Sequence, residues 1–410
     1  MKTFVLTIGD ELLSGRTVDS NGAYIGKRLS GVGAPVKSRA TVGDDVAHIG
    51  RVLLSALAEY DIVVITGGLG PTQDDVTVEA VAAALKVPLV TNDEVLSGIE
   101  ARYREWNRPM PQAVTRMARM PEGTVVLENL WGTAPGMYLQ ADHCHMFLLP
   151  GVPREMQGIL DESVVPIIKA LPGLTPVHTR AIVTAGISES ALAEKLADLM
   201  PPPGSPVKAA YLPGYGGVEL RFSSIEDPEA LDRLVDQVSE RIGSHYIGDA
   251  AREDLVGHVA RILVERNETI ATAESCTGGL IGKLLTDRPG SSEYYLGGVV
   301  VYSNEIKEKL LGVPHVTLSQ HGAVSAQTAE AMAAGARDRL KSTYAISVTG
   351  IAGPGGGTDE KPVGLVYLGL ATGKGTFSRE MRLTRDREQN RLRSAYAAID
   401  FLRRKMEAHI

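Results

Sequence analysis

Apolar positions recur along this chain with two alternating periods. Residues 4–8 form a short apolar run that reads as a strand, 21–29 have helical spacing, and 35–42 read as a strand again. Helical spacing returns at 46–58, and 61–66 form a largely apolar strand that ends in glycines. Residues 76–85 are Ala-rich and helical, and 146–149 are a buried strand closing at Pro150-Gly151. This alternation predicts a mostly parallel sheet with helices on both faces.

Pro172, Gly173 and Pro176 then punctuate the chain. A smaller unit follows, with strands at 179–184 and 218–223, helices at 189–199 and 228–242, and a proline-rich loop at 201–206. From 253 the first pattern resumes. Helices are predicted at 255–266, 278–285, 328–340 and 388–404, and strands at 269–273, 297–302, 344–349 and 364–371. The fold class is therefore α/β: two α/β sandwich domains with mostly parallel sheets, 1–170 and 253–410, joined by a small α+β domain at 175–249.

Composition narrows the class. At 410 residues the chain is long enough for two or three domains. Only 5% is aromatic, and the 44 glycines suit close helix–sheet packing and loops at strand ends. A net charge of −7 gives no global field for nucleic acid. The short cluster Arg403-Arg404-Lys405 reads as a solvated helix end. The two cysteines, Cys144 and Cys276, imply no disulfide framework and fit a reducing cytoplasm. The first apolar run is too short for a signal peptide, and no run approaches the ~20 residues of a spanning helix.

Candidate chemistry in the last domain gathers at strand ends. The strand at 269–273 runs into Glu274-Ser-Cys-Thr-Gly-Gly279 and a helix. Glycines at such a junction let N–H groups approach an anion, with Ser275 and Thr277 as added donors, unless the segment is an ordinary N-cap and tight turn. Pro289-Gly-Ser-Ser292 and the segment 297–307 add hydroxyls and Lys307. A lysine serves as a base for a serine when burial favours its neutral form, although most lysines are simply solvated. His315 and His321 lie in a loop-like stretch and offer no obvious base. Residues 347–357 form a strand followed by a glycine-rich loop that matches neither a Walker loop nor a dinucleotide fingerprint. Thr384-Arg-Asp-Arg387 precedes the last helix, which carries Arg391 and Arg393, and arginine suits bidentate phosphate binding.

In order, Ala273-Glu-Ser-Cys-Thr-Gly-Gly279, Pro289-Gly-Ser-Ser292, Val301-Tyr-Ser-Asn-Glu-Ile-Lys307, His321-Gly-Ala-Val-Ser325, Val348-Thr-Gly-Ile-Ala-Gly-Pro354 and Lys361-Pro-Val-Gly364 resemble the CinA family. The resemblance implies a carboxy-terminal nicotinamide-nucleotide amidase that converts nicotinamide mononucleotide to the acid and ammonia without a cofactor. It implies Ser292 as nucleophile, Lys307 as general base, and Tyr302 as an orienting or oxyanion-donating neighbour. Ser275, Thr277, Gly278, Thr349 and Gly350 would line the substrate site, and Arg387 would hold the 5′-phosphate. Where many relatives have Gly-Asp-Arg, this chain has Arg385-Asp-Arg387.

In the first domain the strand at 62–66 runs into Gly67-Gly-Leu-Gly-Pro-Thr-Gln-Asp-Asp75 and a helix. Gly67, Gly68, Gly70 and Thr72 would present donors to a phosphate. Asp74 and Asp75 are hard oxygen ligands for a divalent cation, unless one of them simply caps the helix. With 9–15, 19–21, 42–45, 132–136 and 149–156, these segments resemble molybdopterin-binding domains in the version carried by CinA proteins. That resemblance implies metal-dependent (Mg, Mn or Co) hydrolysis of ADP-ribose to AMP and ribose 5-phosphate. Asp74 and Asp75 would be metal ligands, Glu11, Asp44 and Asp45 secondary ones, and Asn21 part of the phosphate site. His143-Cys144-His145 offers too few ligands for a metal and reads as a solvent-side strand end.

The expected protein is a cytoplasmic homodimer acting on two nucleotides, nicotinamide mononucleotide and ADP-ribose. No membrane or nucleic-acid partner is expected, because the KH-like middle domain has no Gly-x-x-Gly loop carrying basic residues. Two alternatives remain. A molybdopterin-handling enzyme would bind pterin, and a non-enzymatic competence or DNA-damage factor would bind DNA with strong salt dependence.

Overall fold

The computed structural model describes every residue except 175, 176, 226, 385, 409 and 410, so Pro176 and Arg385 of the segments above lie outside the described residues. The chain divides into two compact units, Met1–His178 and Thr179–Ile410.

The first unit contains β1 (Thr3–Ile8), β2 (Val36–Val42), β3 (Ile62–Thr66), the short β4 (Leu89–Thr91) and β5 (Arg119–Pro121), then β6 (Val125–Leu127), β7 (Gly136–Ala141) and β8 (Cys144–Leu149). Its six-stranded sheet has the order β2-β1-β3-β8-β7-β6. The first four strands are parallel, and β7 and β6 run antiparallel. Every residue of β1 and β3 is buried, as expected for strands covered on both faces. Successive side chains serve opposite cores. Val5 and Val64 pack with Ile25 and Leu29 of helix Ser20–Ser30, whereas Leu6 and Val63 pack with Ile49 and Leu53 of helix Val46–Glu59. The loops after β1, β3 and β8 therefore open at one edge of the sheet.

The second unit holds two sheets. The middle one comprises β9 (His178–Thr184), β10 (Lys208–Pro213), β11 (Val218–Ser224) and β12 (Tyr246–Asp249), in the order β10-β11-β9-β12. Helices Glu189–Lys195 and Pro228–Ile242 cover it, and β11 alternates between buried and partly exposed, as a strand covered on one face does. The last sheet comprises β13 (Ile270–Glu274), β14 (Tyr295–Val300), β15 (Tyr344–Gly350), β16 (Leu365–Thr372) and β17 (Gly375–Arg382), in the order β14-β13-β15-β16-β17. The first three are parallel and the last two antiparallel. Helices Leu255–Glu265, Leu280–Thr286 and the final Arg387–Glu407 contribute to one core, and helix Ala326–Leu340 to another.

Several elements escape the periodicity. Edge strand β17 carries Arg379, Glu380 and Arg382 and shows no apolar alternation. The stretch holding His315 and His321 is a helix, His315–His321, rather than a loop. Among the described residues no helix is long and apolar enough to cross a membrane.

The basic cluster at the chain end is a correction. Arg403 is fully buried, not solvated. Its Nε and Nη2 donate to Asp400 Oδ1 at 2.9 and 2.7 Å, and Nη1 donates to Ser244 O and Glu407 Oε2 at 3.0 and 2.5 Å. Arg404 donates to Asp400 Oδ2 and to Gly186 O at 2.8 and 3.0 Å. The last helix is thereby bolted to the middle domain. Removing Arg403 leaves Asp400, itself 4% exposed, without its main partner. Arg403→Ala is expected to cost about 3–5 kcal/mol of the second unit's stability in urea denaturation. Lys405→Ala, which removes only a cation 3.9 Å from the Phe377 ring centroid, is expected to cost about 1 kcal/mol or less.

Candidate active sites

The carboxy-terminal ends of β13 and β15, with the segments after β14 and β15, surround a cavity of about 260 Å³. Ser275, Tyr302, Lys307, Thr349, Gly350 and Arg387, all anticipated from the sequence, line it. Cys276, Ala323, Val324 and the loop residues Ile351, Ala352, Gly353, Gly355 and Gly356 complete the wall.

Lys307 lies on helix Asn304–Leu311 and is 1% exposed. Its Nζ is 3.3 Å from Ser275 Oγ and donates to Val301 O and Tyr302 O at 2.9 and 3.3 Å. The two carbonyls are available because they follow the end of β14. Burial lowers the lysine's pKa from its ordinary value, opposed by a small charge effect from Cys276. A neutral amine has two N–H donors and one lone pair, which matches two carbonyls and one hydroxyl. Cys276 is no competing nucleophile, since burial pushes its thiol up to about 11.

Ser292 is not in this group. It is exposed in the turn Ser291–Glu293, just before β14 begins. Ser275 follows the end of β13, which runs parallel to β14 with Ile270 opposite Tyr295 and Glu274 opposite Val300. The two serines thus sit at opposite edges of the sheet, separated by a strand length of roughly 17 Å at ~3.3 Å per residue. The serine that meets Lys307 is Ser275.

The glycine turn after β13 does not present its helix to a ligand anion. Glu274, 2% exposed, already occupies that position. Its carboxylate accepts from the N–H groups of Gly279, Ile281 and Gly282 at 2.9, 3.1 and 2.9 Å. Thr277 and Gly278 lie on this turn but do not line the cavity. Thr349 donates its hydroxyl to Ala323 O at 2.7 Å. The Tyr302 side chain is 65% exposed, and its hydroxyl accepts from Arg387 Nη2 at 3.3 Å rather than meeting Ser275 or Lys307. Arg387 Nη1 also donates to Gly353 O at 2.7 Å, so its guanidinium is held at the cavity mouth. One turn on, Arg391 donates from Nε to Cys276 O and from Nη2 to Thr277 O, at 3.1 and 2.8 Å. Its place on the same helix face as Arg387 was the only sequence signal for this contact.

In the first unit, the loops after β1, β3 and β8 line a cavity of about 430 Å³ that includes Glu11, Asp44, Gly67, Gly68, Gly70, Asp74, Asp75 and Glu155. Gly67 is required there: its φ is +106°, and a Cβ would lie 2.2 Å from Ile8 O. Asp75 is partly spent within the loop, accepting from Thr72 N–H at 2.8 Å and from the Thr72 hydroxyl. Asp74 is held below its ordinary pKa by a hydrogen bond from Thr72. Asp44 is raised, first by burial and then by the nearby charges of Asp10, Glu11 and Asp74, although the hydrogen bond from Asp10 N–H opposes this. Asp45 does not line the cavity; it caps helix Val46–Glu59 by accepting from His48 N–H. Asn21 lines an adjoining recess and donates to Thr66 Oγ1 and Gly151 O at 3.1 and 2.9 Å, tying two of the loops together. Among the described residues no three histidine, cysteine or carboxylate side chains gather as a ready metal cage. The donor set still suits a cation of the magnesium type, which takes one or two carboxylates and completes its shell with water and phosphate oxygens.

His143-Cys144-His145 is only partly a solvent-side strand end. Cys144 is fully buried, with its thiol pushed up to about 12 by burial, and His145 Nδ1 meets Tyr138 OH at 2.8 Å.

Comparison with known proteins divides the chain in three. Residues 4–170 match the family described as probable molybdopterin binding domain, 179–248 the damage-inducible protein CinA KH domain, and 252–406 the CinA C-terminal domain. A CinA-like protein of Salinibacter ruber is 43% identical across 99% of this chain and 100% of its own length. One from Synechocystis is 41% identical across 100% of both. A crystal structure of a competence-damaged protein (CinA) superfamily protein from Klebsiella pneumoniae is 35% identical over 38% of this chain and 97% of its own, with a TM-score of 0.37.

Any reaction at the Ser275–Lys307 pair that needs the neutral amine is expected to carry the lysine's depressed pKa. Its kcat/KM should rise with pH along a single ionisation with its midpoint below the ~10.4 of free lysine. A pH–rate profile checks this.

Proposed function

The chain belongs to the CinA family, and from that membership we propose that its carboxy-terminal domain hydrolyses the carboxamide of nicotinamide mononucleotide. Ser275 is the nucleophile and Lys307 the general base. The observation that supports this best is the buried Lys307 amine in contact with the Ser275 hydroxyl and, among the described residues, with no carboxylate paired to it.

Ser275 Oγ attacks the amide carbon while its proton passes to Lys307 Nζ, and the carbonyl π pair moves onto oxygen. Collapse of the tetrahedral intermediate breaks the C–N bond, and Lys307 returns its proton to the departing nitrogen, which leaves as ammonia. Water, deprotonated by Lys307, then adds to the acyl carbon, the C–Oγ bond breaks, and Lys307 returns the proton to Ser275 Oγ as the acid leaves. No cofactor enters these steps. Arg387 at the mouth supplies a fork for the 5′-phosphate, which places the pyridine end toward Ser275.

For the amino-terminal domain we propose divalent-cation-dependent hydrolysis of ADP-ribose to AMP and ribose 5-phosphate. Five carboxylates, Glu11, Asp44, Asp74, Asp75 and Glu155, around a glycine-walled cavity support this reading. A bound cation would neutralise pyrophosphate charge. Asp74 and Asp75 would hold it, and the glycine loop would leave room for the phosphates.

Ser275→Ala is expected to reduce ammonia release from nicotinamide mononucleotide by at least about 10³-fold, with Ser292→Ala close to wild type. The opposite ranking would return the nucleophile to Ser292. For the first domain, AMP release from ADP-ribose is expected to vanish in EDTA and to return with added magnesium, manganese or cobalt. Asp74→Asn should lower it by about 10²-fold or more without affecting the amidase. Undiminished turnover in EDTA would exclude the cation.

A further inference from the structure

We infer that the amino-terminal site is longer than its carboxylate cavity, and that the nucleoside end of its substrate lies in a second hollow between helix Asp93–Glu105 and the segment 126–135. The inference rests on the reading of that cavity as the place where the pyrophosphate of ADP-ribose is cleaved, and it gives the substrate a direction across the site.

Three hollows adjoin in the first unit. The carboxylate cavity shares Ile8, Glu11, Gly67 and Gly151 with the recess beside Asn21, which holds about 100 Å³. It shares Thr133 with a hollow of about 350 Å³. The recess and the hollow have no lining residue in common, so the carboxylate cavity lies between them. The partition on the hollow's side is one loop, 129–135, folded around the side chain of Asn129, which is 4% exposed. Asn129 Nδ2 donates to Ala134 O at 2.8 Å and to Glu155 Oε2 at 2.5 Å, and Oδ1 accepts from the Trp131 N–H at 2.9 Å. Glu155 lines the cavity and Asn129 the hollow, so one hydrogen bond spans the partition. Gly132 keeps the loop close, because a Cβ there would lie 2.0 Å from Glu155 Cδ.

The chemistry of the two outer hollows differs. The larger one has apolar walls in Val95, Ile99, Val126 and Pro135, and it carries Glu94, Arg102 and Glu128. Arg102 donates from Nη2 to Asn129 O. Among the described residues its Nε and Nη1 have no acceptor, and Glu94 and Glu128 have no side-chain partner. Apolar walls with a few convergent polar groups suit a flat heterocycle. Adenosine offers hydroxyl and amine donors to the carboxylates and ring nitrogens to the guanidinium. The same two carboxylates disfavour a phosphate, so the end bound here is the uncharged one. The recess beside Asn21 is smaller and takes hydroxyls and amide groups from Thr17, Ser20, Asn21 and Thr66, which suit a sugar. Adenosine is much the larger end of ADP-ribose and exceeds that recess. With the pyrophosphate across the carboxylate cavity, adenosine passes Thr133 and the terminal ribose turns toward Asn21.

Gly98 offers the test. It lies on helix Asp93–Glu105 in the wall of the hollow, and a Cβ there would meet nothing within 4 Å. A side chain at an interior helix position also favours the helix over glycine, so Gly98→Phe and the smaller Gly98→Leu fill the hollow without opposing the fold. Thr17→Phe fills the recess in the same way. The probes are AMP and ribose 5-phosphate, each titrated by calorimetry with magnesium present. Gly98→Phe is expected to weaken AMP binding by about 10-fold or more and to raise KM for ADP-ribose in parallel, with ribose 5-phosphate binding as in wild type. Thr17→Phe is expected to do the reverse. Photolabelling of the unmodified chain with 8-azido-AMP needs no variant, and the label is expected within 92–102 or 126–135. Unchanged AMP affinity in both Gly98 variants, a loss that falls on ribose 5-phosphate instead, label confined to 17–21, or no AMP binding to the wild type would overturn the inference. AMP binding sensitive to Gly98, in a chain that does not turn over ADP-ribose with any divalent cation, would instead remove the pyrophosphatase reading and leave the nucleoside hollow standing.

Discussion

A largely desolvated primary amine, with no carboxylate paired to it among the described residues, is the constraint around which the carboxy-terminal site is organised. Charging Lys307 in its buried position is costly, because desolvation penalises the ammonium and no carboxylate is paired with it. The surroundings instead satisfy a neutral amine with two carbonyls and one hydroxyl. Those carbonyls exist as acceptors because β14 ends at Val300 and the chain leaves the ladder there. The parallel alignment of β13 and β14 then sets Ser275 beside them. Strand register, helix placement and base strength are consequences of one another at this point.

The final helix holds the arrangement in place. At its amino-terminal end Arg387, Asn390 and Arg391 hold the backbone of the two loops that wall the cavity. Further along, Tyr396 packs against Gly216 of the β10–β11 hairpin, where a Cβ would lie 3.2 Å from its ring. At the far end the Asp400–Arg403–Arg404 cluster grips Gly186 and Ser244 of the middle domain. With 21 residues the helix spans about 30 Å, so one rigid rod carries both the middle-domain contact and the site. The small domain is thus held to the final helix at three points, Gly186, Gly216 and Ser244.

Much of this was legible in the sequence, for reasons visible in particular residues. Apolar runs such as 62–66 and 344–349 announce buried strands, and glycines after them mark where the loops open. Lys307, Thr349 and Arg387, singled out in the sequence, line one cavity because the end of β15, the helix after β14 and the start of the final helix meet there. Ser292 lies about a strand length from Lys307, a separation that a motif's spacing does not reveal because it does not say at which end of a strand the motif falls. Glu274 was missed as the occupant of the helix start because a side chain capping its own following turn looks, in sequence, like any residue at the end of a strand. Arg403 was misread because a charged residue near a chain end is usually solvated, and only tertiary packing shows the carbonyl and carboxylates that bury it.

The walls of the two cavities differ in charge. Among the described residues the wall of the amino-terminal cavity has carboxylates and no lysine or arginine. The carboxy-terminal cavity has no carboxylate in its wall, and it has Arg387. With no carboxylate in that wall among the described residues, burial is left to lower the Lys307 pKa. The most direct measurement is therefore the titration of Lys307 itself, followed by the ¹³Cε resonance of labelled lysine and assigned with a Lys307→Met variant. A midpoint well below the ~10.4 of free lysine is predicted, moving little with salt because the group is buried. A midpoint at or above that value would mean that Lys307 is a cation at working pH and cannot be the base.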